Sequence, residues 1–481
     1  MVAAPQLEVS AQEPTVNVAV RIAQSGHREY FRNGHRCRGR RSAGCQLTVA
    51  FDLSEKYRHL LGGPRAKAKE KFETVVIGGG QAGLAMSHHL AVLGCEHVIF
   101  ERARVAERWR SQRWDSLMFQ FPNWSIELPG RAYSTGNPDG FARSDEVLRF
   151  IEDYCGWIKA PIRTGANVSA VRAQPSAGGY EIISDMGPVA ARNVVIATGP
   201  YQRPRLPTCH RSLPSGVVQV HAAAYRNPAA LPDGAVLVVG SGASGCQIAD
   251  ELLESGRRVY LSIGQHRRVP RRYRGRDVFW WRRELGELDQ TVDTTPASRR
   301  MPAPLVTGVH GGYDIDLRRS ADKGMTLAGH LLDIREGTIA FAPDVERSLR
   351  TGDRTLMEFE AAVDVHVQRT GLDAERSPYT QAAEHGPLVS PEQLDINAAG
   401  IKSVIWATGY DFDFGWVQMP IFDSRGAPAQ YRGATALPGL YFLGLPWMHK
   451  PKSSFLYGVG EDAAYIASRI AGEQRQRAER R

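Results

Sequence analysis

The chain has 481 residues, which is enough for two or three domains of ordinary size. Hydrophobic residues make up 42% and charged residues 23%, and no run approaches the ~18 consecutive apolar residues of a membrane helix, so an integral membrane role is excluded. The formal net charge is +9, but much of the excess falls in an arginine-rich stretch near the start and at the extreme end, so it does not indicate a nucleic-acid partner.

Cysteine usage and the first residues bear on the compartment. The chain contains 6 cysteines, scattered without C-x-x-C or metal-ligand spacing. Such cysteines are typical of reduced thiols, and the N-terminus lacks the apolar core and small-residue cleavage site of a secretory signal. We therefore expect a cytoplasmic protein without a metal site.

Residues 1–71 differ from the rest because they lack hydrophobic periodicity. Six arginines fall between Arg28 and Arg41. A nucleic-acid or membrane-surface arm is one interpretation. We favour a disordered extension, or a start assigned too early in the gene, because a polar aperiodic segment cannot form a packed core.

The stretch Thr74–Leu84 contains the first motif that indicates chemistry. A run of β-branched residues leads into Gly78-x-Gly80-x-x-Gly83, with Gln81 and Ala82 between the glycines, and a helical pattern follows. In a dinucleotide-binding fingerprint the three glycines permit a tight turn, close approach to a pyrophosphate, and helix–strand packing. The next predicted strand ends in Glu101, whose carboxylate can accept hydrogen bonds from ribose hydroxyls.

The segment that follows is rich in arginine and aromatic residues. Residues 105–124 are crowded with Trp, Arg and Phe, a composition that suits either a flat cofactor with its phosphates or an aromatic core patch. The pattern predicts an amphipathic helix over 144–158 and short strands at 168–171 and 180–183. A further buried strand ends in Ala197-Thr198-Gly199, where small residues admit a close backbone approach to a cofactor, and a proline-rich linker follows.

A second strand, turn and helix repeat the fingerprint as Gly240-x-Gly242-x-x-Gly245, with Ser244 inside it. The matching second strand ends at Ser262 without an acid, and arginines crowd beyond it. A missing acid with nearby arginine accommodates a ribose 2′-phosphate, so we expect NADPH rather than NADH at this site. Arg267 and Arg268 lie nearest the strand end, and either can instead be a surface charge.

The last third of the chain predicts a return to the first domain. Residues 278–282 can line a substrate pocket or form a buried aromatic pair, and 343–371 are helical in part. A strand from 401 ends in a second Ala-Thr-Gly, with Thr408 and Gly409, and a closing helix follows. We therefore predict an α/β fold with two Rossmann-like domains: a first dinucleotide domain over 72–206 and 401–481, and a second inserted over 207–400.

In these motifs the chain resembles two-dinucleotide-binding flavoproteins, and among them class B flavin-dependent monooxygenases, over roughly residues 72–470. The group includes bacterial proteins labelled as potassium-transport flavoproteins and, more distantly, plant indole-3-pyruvate monooxygenases. The resemblance implies an FAD site containing Gly78, Gly80, Gly83, Glu101 and Trp109, and it places Asn123 near the flavin and nicotinamide as the catalytic candidate. It assigns Gly240, Gly242, Ser244 and Gly245 to NADPH, and Thr198 and Thr408 to the two strand ends.

The family's linker motif F-x-G-x-x-x-H-x-x-x-(F/Y/W) is only half kept. His221 and Tyr225 are present, whereas Ser215 and Val217 stand at the Phe and Gly positions. A terminal Tyr rather than Trp points away from Baeyer–Villiger enzymes and towards oxygenation of heteroatoms or small carbon substrates. We expect His221 and His449 to be structural.

The resemblance implies a monooxygenase in which NADPH reduces FAD, and one oxygen atom of O₂ enters a small amine, sulfide or keto acid through a C4a-(hydro)peroxyflavin. Three alternatives stay open. A disulfide reductase shares both fingerprints but needs paired cysteines. An NADPH oxidase or reductase lacks oxygen insertion, and a nucleotide-sensing partner of a transporter lacks catalysis.

Overall fold

Runs of buried β-branched residues form the strands of two sheets in the computed structural model, which describes residues 70–174, 178–296, 304–377 and 388–480. These residues belong to one compact unit, Lys67–Arg481. The strands, in chain order, are β1 (Glu70–Ile77), β2 (His97–Glu101), β3 (Glu127–Leu128), β4 (Arg131–Ala132), β5 (Ile162–Thr164), β6 (Val168–Ala173), β7 (Tyr180–Ser184), β8 (Gly187–Ile196), β9 (Arg203–Pro204), β10 (Val218–His221), β11 (Ala235–Val239), β12 (Val259–Ser262), β13 (Arg272–Tyr273), β14 (Arg276–Asp277), β15 (Val306–Thr307), β16 (Tyr313–Asp314), β17 (Thr326–Ala328), β18 (Leu331–Arg335), β19 (Thr338–Phe341), β20 (Gln393–Asp395), β21 (Ile401–Trp406), β22 (Tyr410–Asp411) and β23 (Leu440–Phe442).

The helices cover the faces of these sheets. They are α1 (Gln81–Val92), α2 (Glu107–Ser111), α3 (Ser144–Trp157), α4 (Ala243–Glu254), α5 (Val278–Glu284), α6 (Leu317–Asp322), α7 (Val345–Thr370) and α8 (Val459–Glu479). The predicted helix over 144–158 and the helical content of 343–371 are confirmed by α3 and α7. The closing helix begins later and runs further than its apolar pattern indicated.

The first sheet has a parallel half and an antiparallel half. Strands β5, β2, β1, β8 and β23 lie side by side and parallel, and β7 and β6 extend the sheet from β8 with antiparallel pairing. The ten-residue β8 spans both halves, because its last residues pair with β1 and β23 while its first residues also pair with β7. Helices α1, α3 and α8 pack their apolar side chains against the parallel part of this sheet.

The second sheet is parallel throughout, in the order β10-β21-β11-β12-β17. Strand β11 is fully buried and continuously apolar, as expected of a central strand in a sheet covered on both faces. The described residues therefore form two α/β layers, one on a mixed sheet and one on a parallel sheet, and the predicted fold class is confirmed. Between them the chain passes through β9, which pairs antiparallel with β22.

One predicted boundary is wrong. We predicted that residues from 401 onwards rejoin the first domain, but β21 pairs with β11 and β10 at the middle of the second sheet. The chain returns to the first sheet at Val417, which bridges Val171 at the β6 edge, and then at β23, where Leu440 lies beside Val194. The order of strands along the chain does not determine which sheet a buried strand joins, because pairing partners are distant in sequence.

The N-terminal extension predicted over 1–71, with its arginine run, lies outside the described residues except for its last two, which begin β1. In the part of the chain that the structure describes, no helix is long and apolar enough to cross a bilayer. Within the same residues, no group of three or more His, Cys, Asp and Glu side chains could hold a metal ion.

Candidate active site

The first fingerprint is built around two glycines that admit no side chain. Gly78 has φ +118°, and a Cβ there would lie 2.5 Å from the Ala197 carbonyl oxygen. A Cβ on Gly83 would lie 1.9 Å from the Gly78 carbonyl oxygen, so the first turn of α1 packs directly on the end of β1. Gly80 has open space where its Cβ would lie, which is the space a pyrophosphate would enter.

The second fingerprint repeats this arrangement at the end of β11. Gly240 has φ +108° and would place a Cβ 2.5 Å from the Ala407 carbonyl oxygen, while a Cβ on Gly245 would lie 1.9 Å from the Gly240 carbonyl oxygen. Gly242 again faces open space. The structure therefore holds two cradles of the same kind, each with an unfilled approach to the N-terminus of a helix.

The two Ala-Thr-Gly segments belong to different cradles. Ala197, just before Thr198 and Gly199, lies against Gly78 of the first fingerprint, and Ala407, just before Thr408 and Gly409, lies against Gly240 of the second. Thr198 and Gly199 also line the large cavity described next, whereas Thr408 and Gly409 do not. The Thr408 hydroxyl donates to the Arg205 carbonyl oxygen at 2.5 Å and so ties the second segment to the linker.

One cavity of about 580 Å³ extends from the first cradle to the start of α4, and its lining does not include Gly240, Gly242 or Gly245. Its walls come from α1, the 106–121 segment, the end of β8, the start of α4, and the segment 454–456. The predicted cofactor residues that line it are Gly78, Gly80, Gln81, Ala82, Glu101, Trp109, Thr198, Gly199 and Ser244. The volume and mixed polar and apolar walls suit a bound dinucleotide and the nicotinamide end of a second.

Glu101 is held firmly at the end of β2. One carboxylate oxygen accepts the Gly79 N–H at 2.7 Å and the other accepts the Ala103 N–H at 2.9 Å. A carboxylate has about four acceptor sites, so two backbone bonds leave capacity for ribose hydroxyls in the cavity. The acid thus orders the glycine turn and lines the cavity.

A short relay links the fingerprint to the C-terminal segment. The Trp109 indole donates to Gln81 Oε1 at 3.4 Å, and Gln81 Nε2 donates to the Ser454 carbonyl oxygen at 2.8 Å. Gln81, Trp109 and Ser454 all line the cavity. These contacts hold Trp109, which follows Glu101 in the chain, in the wall of the cavity.

Two arginines in the wall were missed by the sequence reasoning. Burial lowers the pKa of Arg113, whose guanidinium lies 4.7 Å from the centre of the Trp109 ring and 6.0 Å from that of Tyr201. Burial also lowers the pKa of Arg108, which lies on α2 and lines the same cavity. Partly buried arginines that line open space suit phosphate oxygens. Their signal was the arginine spacing in 104–113, which the aromatic pattern obscured.

The two candidates for binding the 2′-phosphate, Arg267 and Arg268, differ in burial and in ion pairing. Arg268 is buried and pairs with Asp314 at 3.1 Å, Asp316 at 2.7 Å and Asp353 at 3.7 Å, so its charge is neutralised by protein. These ion pairs make Arg268 the weaker of the two candidates for a phosphate ligand. Arg267 is half-buried and makes no hydrogen bond or ion pair with the residues that the structure describes.

Ser262 also serves the fold. Its hydroxyl is buried and donates to the Gly329 carbonyl oxygen at 2.8 Å, so the side chain holds β12 against the turn after β17. It does not reach the cavity. The predicted cofactor contact from this side chain stays a prediction.

Asn123 is buried and is not among the residues that line the cavity. It begins a short 3-10 turn two residues beyond Phe121, and its side-chain N–H donates to the Asn137 carbonyl oxygen at 2.9 Å. The amide oxygen is buried and accepts no hydrogen bond from the described residues. The predicted contact with flavin and nicotinamide stays a prediction.

His221 organises the linker between the two sheets. Its Nδ1 accepts the Ala223 N–H at 3.2 Å, so Nε2 carries the proton and donates to the Gly409 carbonyl oxygen at 3.1 Å. Burial lowers the pKa of His221, consistent with a neutral ring. The structural role expected for this histidine agrees with these contacts, which also place its ring 4.9 Å from that of Tyr410 in the cavity wall.

The four cysteines that the structure describes do not form a redox pair at this cavity. Cys95, Cys155, Cys209 and Cys246 are free thiols, and none of them lines the cavity. Burial raises the pKa of Cys246 to about 12, so this thiol on α4 stays protonated. Cys37 and Cys45 lie outside the described residues.

Comparison with known proteins places this geometry in a family. The family described as pyridine nucleotide-disulphide oxidoreductase matches residues 75–280. An uncharacterized CzcO-like oxidoreductase of Geobacillus kaustophilus is 34% identical over 407 residues, which cover 83% of this chain and 98% of that one. An indole-3-pyruvate monooxygenase, YUCCA1 of Oryza sativa subsp. japonica, is 28% identical over 203 residues, covering 41% of this chain and 50% of that one.

Among solved structures, a flavin-containing monooxygenase from Stenotrophomonas maltophilia has a TM-score of 0.59 at 19% identity, covering 84% of this chain and 99% of that one. This likeness shows a shared fold of two dinucleotide-binding units, and the two glycine cradles fit FAD and NADPH. The chain belongs to the family of CzcO-like oxidoreductases.

Proposed function

We propose that the protein uses NADPH and O₂ to insert one oxygen atom into a small organic substrate, an amine, a sulfide or a keto acid. The observation that supports this most directly is the single cavity whose wall includes residues of both fingerprints, so that the two cofactors would meet. When bound, FAD would accept a hydride from NADPH and supply the oxygen chemistry.

The residues of the chain would bind and orient these groups. Gly80 and the N-terminus of α1 would receive the FAD pyrophosphate, and Glu101 would accept ribose hydroxyls. Gly242 and the N-terminus of α4 would receive NADPH, with Ser244 in the shared cavity and Arg267 as the candidate for the 2′-phosphate. Asn123, the catalytic candidate, would lie near the flavin and nicotinamide.

Burial would keep water from the reacting atoms. Phe121 and Phe455 line the cavity, and their ring centres lie 5.2 Å apart. Aromatic walls exclude water and so favour transfer of oxygen to an organic substrate over release of hydrogen peroxide. The same walls would hold the substrate near the flavin.

An NADPH oxidase without oxygen insertion is the second candidate, because both fingerprints serve it equally. The absence of a cysteine from the described lining argues against the disulfide-reductase alternative. The test is steady-state oxidation of NADPH by the FAD-loaded protein with a panel of amines, sulfides and keto acids, with hydrogen peroxide measured in parallel.

We expect one panel member to give an oxygenated product and to lower the peroxide yield per NADPH. Peroxide equal to NADPH with every panel member would identify an oxidase instead. Failure of NADPH to reduce the flavin would contradict both enzyme functions.

A further inference from the structure

A second cavity, of about 500 Å³, lies next to the cofactor cavity. Phe121 and Phe455 line both cavities, so aromatic side chains form the wall between them. On the far side the lining comes from α5, the turn Glu287–Asp289 and residues 290–296, with Pro304, Trp447 and Pro451. The cavity has the size of a small-molecule site.

Most of this lining is apolar, and its core is an aromatic cluster. The Phe121 and Phe279 rings stack with centres 4.3 Å apart, and Leu288 packs with them. Flat apolar walls of this kind favour a ligand with an aromatic or similarly flat body.

Among the polar residues of the lining, Arg282 on α5 is a buried cation. Its side chain is only 10% exposed, it lines the cavity, and it makes no hydrogen bond with the residues that the structure describes. Its ion-pair partner is Glu287, with 3.8 Å between Arg282 Nε and Glu287 Oε2, which is too long for a hydrogen bond. An arginine carries five N–H donors, and leaving them unused in a buried position is costly.

A neighbouring arginine shows how this fold satisfies a buried guanidinium. Arg271 is 3% exposed, and it donates to Asp277 at 2.8 Å and to the Gln120 carbonyl oxygen at 2.7 Å. Arg282 has no such partners in the described part of the chain. Its donors therefore face a cavity that an acceptor from outside the chain could fill.

Glu287 does not remove this demand. Its Oε2 is buried and accepts no hydrogen bond from the described residues, and burial raises the pKa of its carboxyl. A carboxyl in that environment is a weak counter-charge at 3.8 Å. A bidentate anion would satisfy Arg282 far better.

We propose that the second cavity binds the organic substrate, and that the substrate is a carboxylate with an apolar, preferably aromatic body. The carboxylate accepts two hydrogen bonds from Arg282, and the body packs on Phe121, Phe279 and Phe455 towards the cofactor cavity. That this ligand is the substrate rests on the proposed function, whereas binding of the ligand at this site does not require turnover.

The test measures binding to the oxidised, FAD-loaded protein by calorimetry, without NADPH. The probes are phenylacetate, its neutral match phenylacetamide, and 2-phenylethylamine. We expect phenylacetate to bind at least tenfold more tightly than phenylacetamide. Arg282→Gln should abolish this difference, whereas Arg283→Gln, which removes the same charge from the adjacent exposed position, should preserve it.

A second variant keeps the test decisive if Arg282→Gln does not fold. Gln290 is exposed and lines the cavity, so Gln290→Trp should narrow it and weaken phenylacetate binding at least tenfold with an unchanged unfolding temperature. Equal affinities for phenylacetate and phenylacetamide would overturn the proposal, and so would preferred binding of 2-phenylethylamine, which would point to Glu287. Carboxylate binding without oxygenation would leave the site intact and refute only the proposed function.

Discussion

The paired fingerprints allow the packing and binding roles of a glycine to be tested separately. In Gly245→Ala the new Cβ would lie 1.9 Å from the Gly240 carbonyl oxygen, where 3.0 Å is the practical minimum, so α4 must move by about 1 Å. Overpacking against backbone typically costs about 1–3 kcal/mol and occasionally more, and a contact this short belongs at the upper end. In Gly242→Ala the Cβ meets no protein atom within 4 Å.

The assay combines thermal unfolding, flavin content and NADPH affinity. We expect Gly245→Ala to lower the free energy of unfolding by about 3 kcal/mol or more. Gly242→Ala should unfold like the wild type and retain FAD, yet bind NADPH at least about tenfold more weakly, a loss of about 1.4 kcal/mol, because its methyl group occupies the approach of the pyrophosphate.

Gly80→Ala provides the matched control in the first fingerprint, since its Cβ also meets open space. It should reduce FAD content while leaving the fold intact. The reasoning would be refuted if Gly242→Ala kept full NADPH affinity, or if Gly245→Ala were as stable as the wild type.

Three further predictions concern single side chains. Arg267→Gln should raise the KM for NADPH about tenfold and leave the KM for NADH unchanged, and equal effects on both cofactors would contradict the assignment. Arg268→Gln should instead lower the free energy of unfolding by about 3–5 kcal/mol, because it leaves buried carboxylates unpaired. Glu101→Gln should weaken FAD retention in dialysis about tenfold, since charge-assisted bonds to the Gly79 and Ala103 N–H groups are lost, and unchanged retention would count against its role. Burial lowers the pKa of His266 to about 4. The unfolded chain therefore binds the extra proton first, and acidification from pH 7 to pH 5 should cost on the order of 2 kcal/mol of unfolding free energy, a loss that His266→Gln should remove in urea titrations.

The local parts of the site could be predicted from the sequence. Each fingerprint is a strand, turn and helix contiguous in the chain, and the steric need for glycine at Gly78 and Gly83 arises mainly from that unit and one neighbouring strand end. The same holds for Glu101, which follows its strand directly. Short-range spacing carries this information because the geometry of the unit is fixed.

Long-range contacts could not be predicted. Arg268 lies close to the strand end in sequence, but its carboxylate partners come from residues 46 or more positions away, and nothing in the spacing reveals them. Strand β21 carries the same Ala-Thr-Gly ending as β8 yet joins the other sheet. The second cavity, which Arg282 lines, forms where α5 packs near Phe121 and Phe455, and these residues are far apart in the sequence.

The central claim is that NADPH and O₂ react in the cavity shared by the two fingerprints and that one oxygen atom passes to a substrate bound at its wall. The most direct measurement is a single turnover. The FAD-loaded protein is reduced anaerobically with one equivalent of NADPH and then mixed with ¹⁸O₂ and a substrate. The mass of the product is measured by mass spectrometry. We predict one ¹⁸O atom in the product per NADPH consumed. Stoichiometric hydrogen peroxide with no labelled product from any amine, sulfide or keto acid would contradict the account.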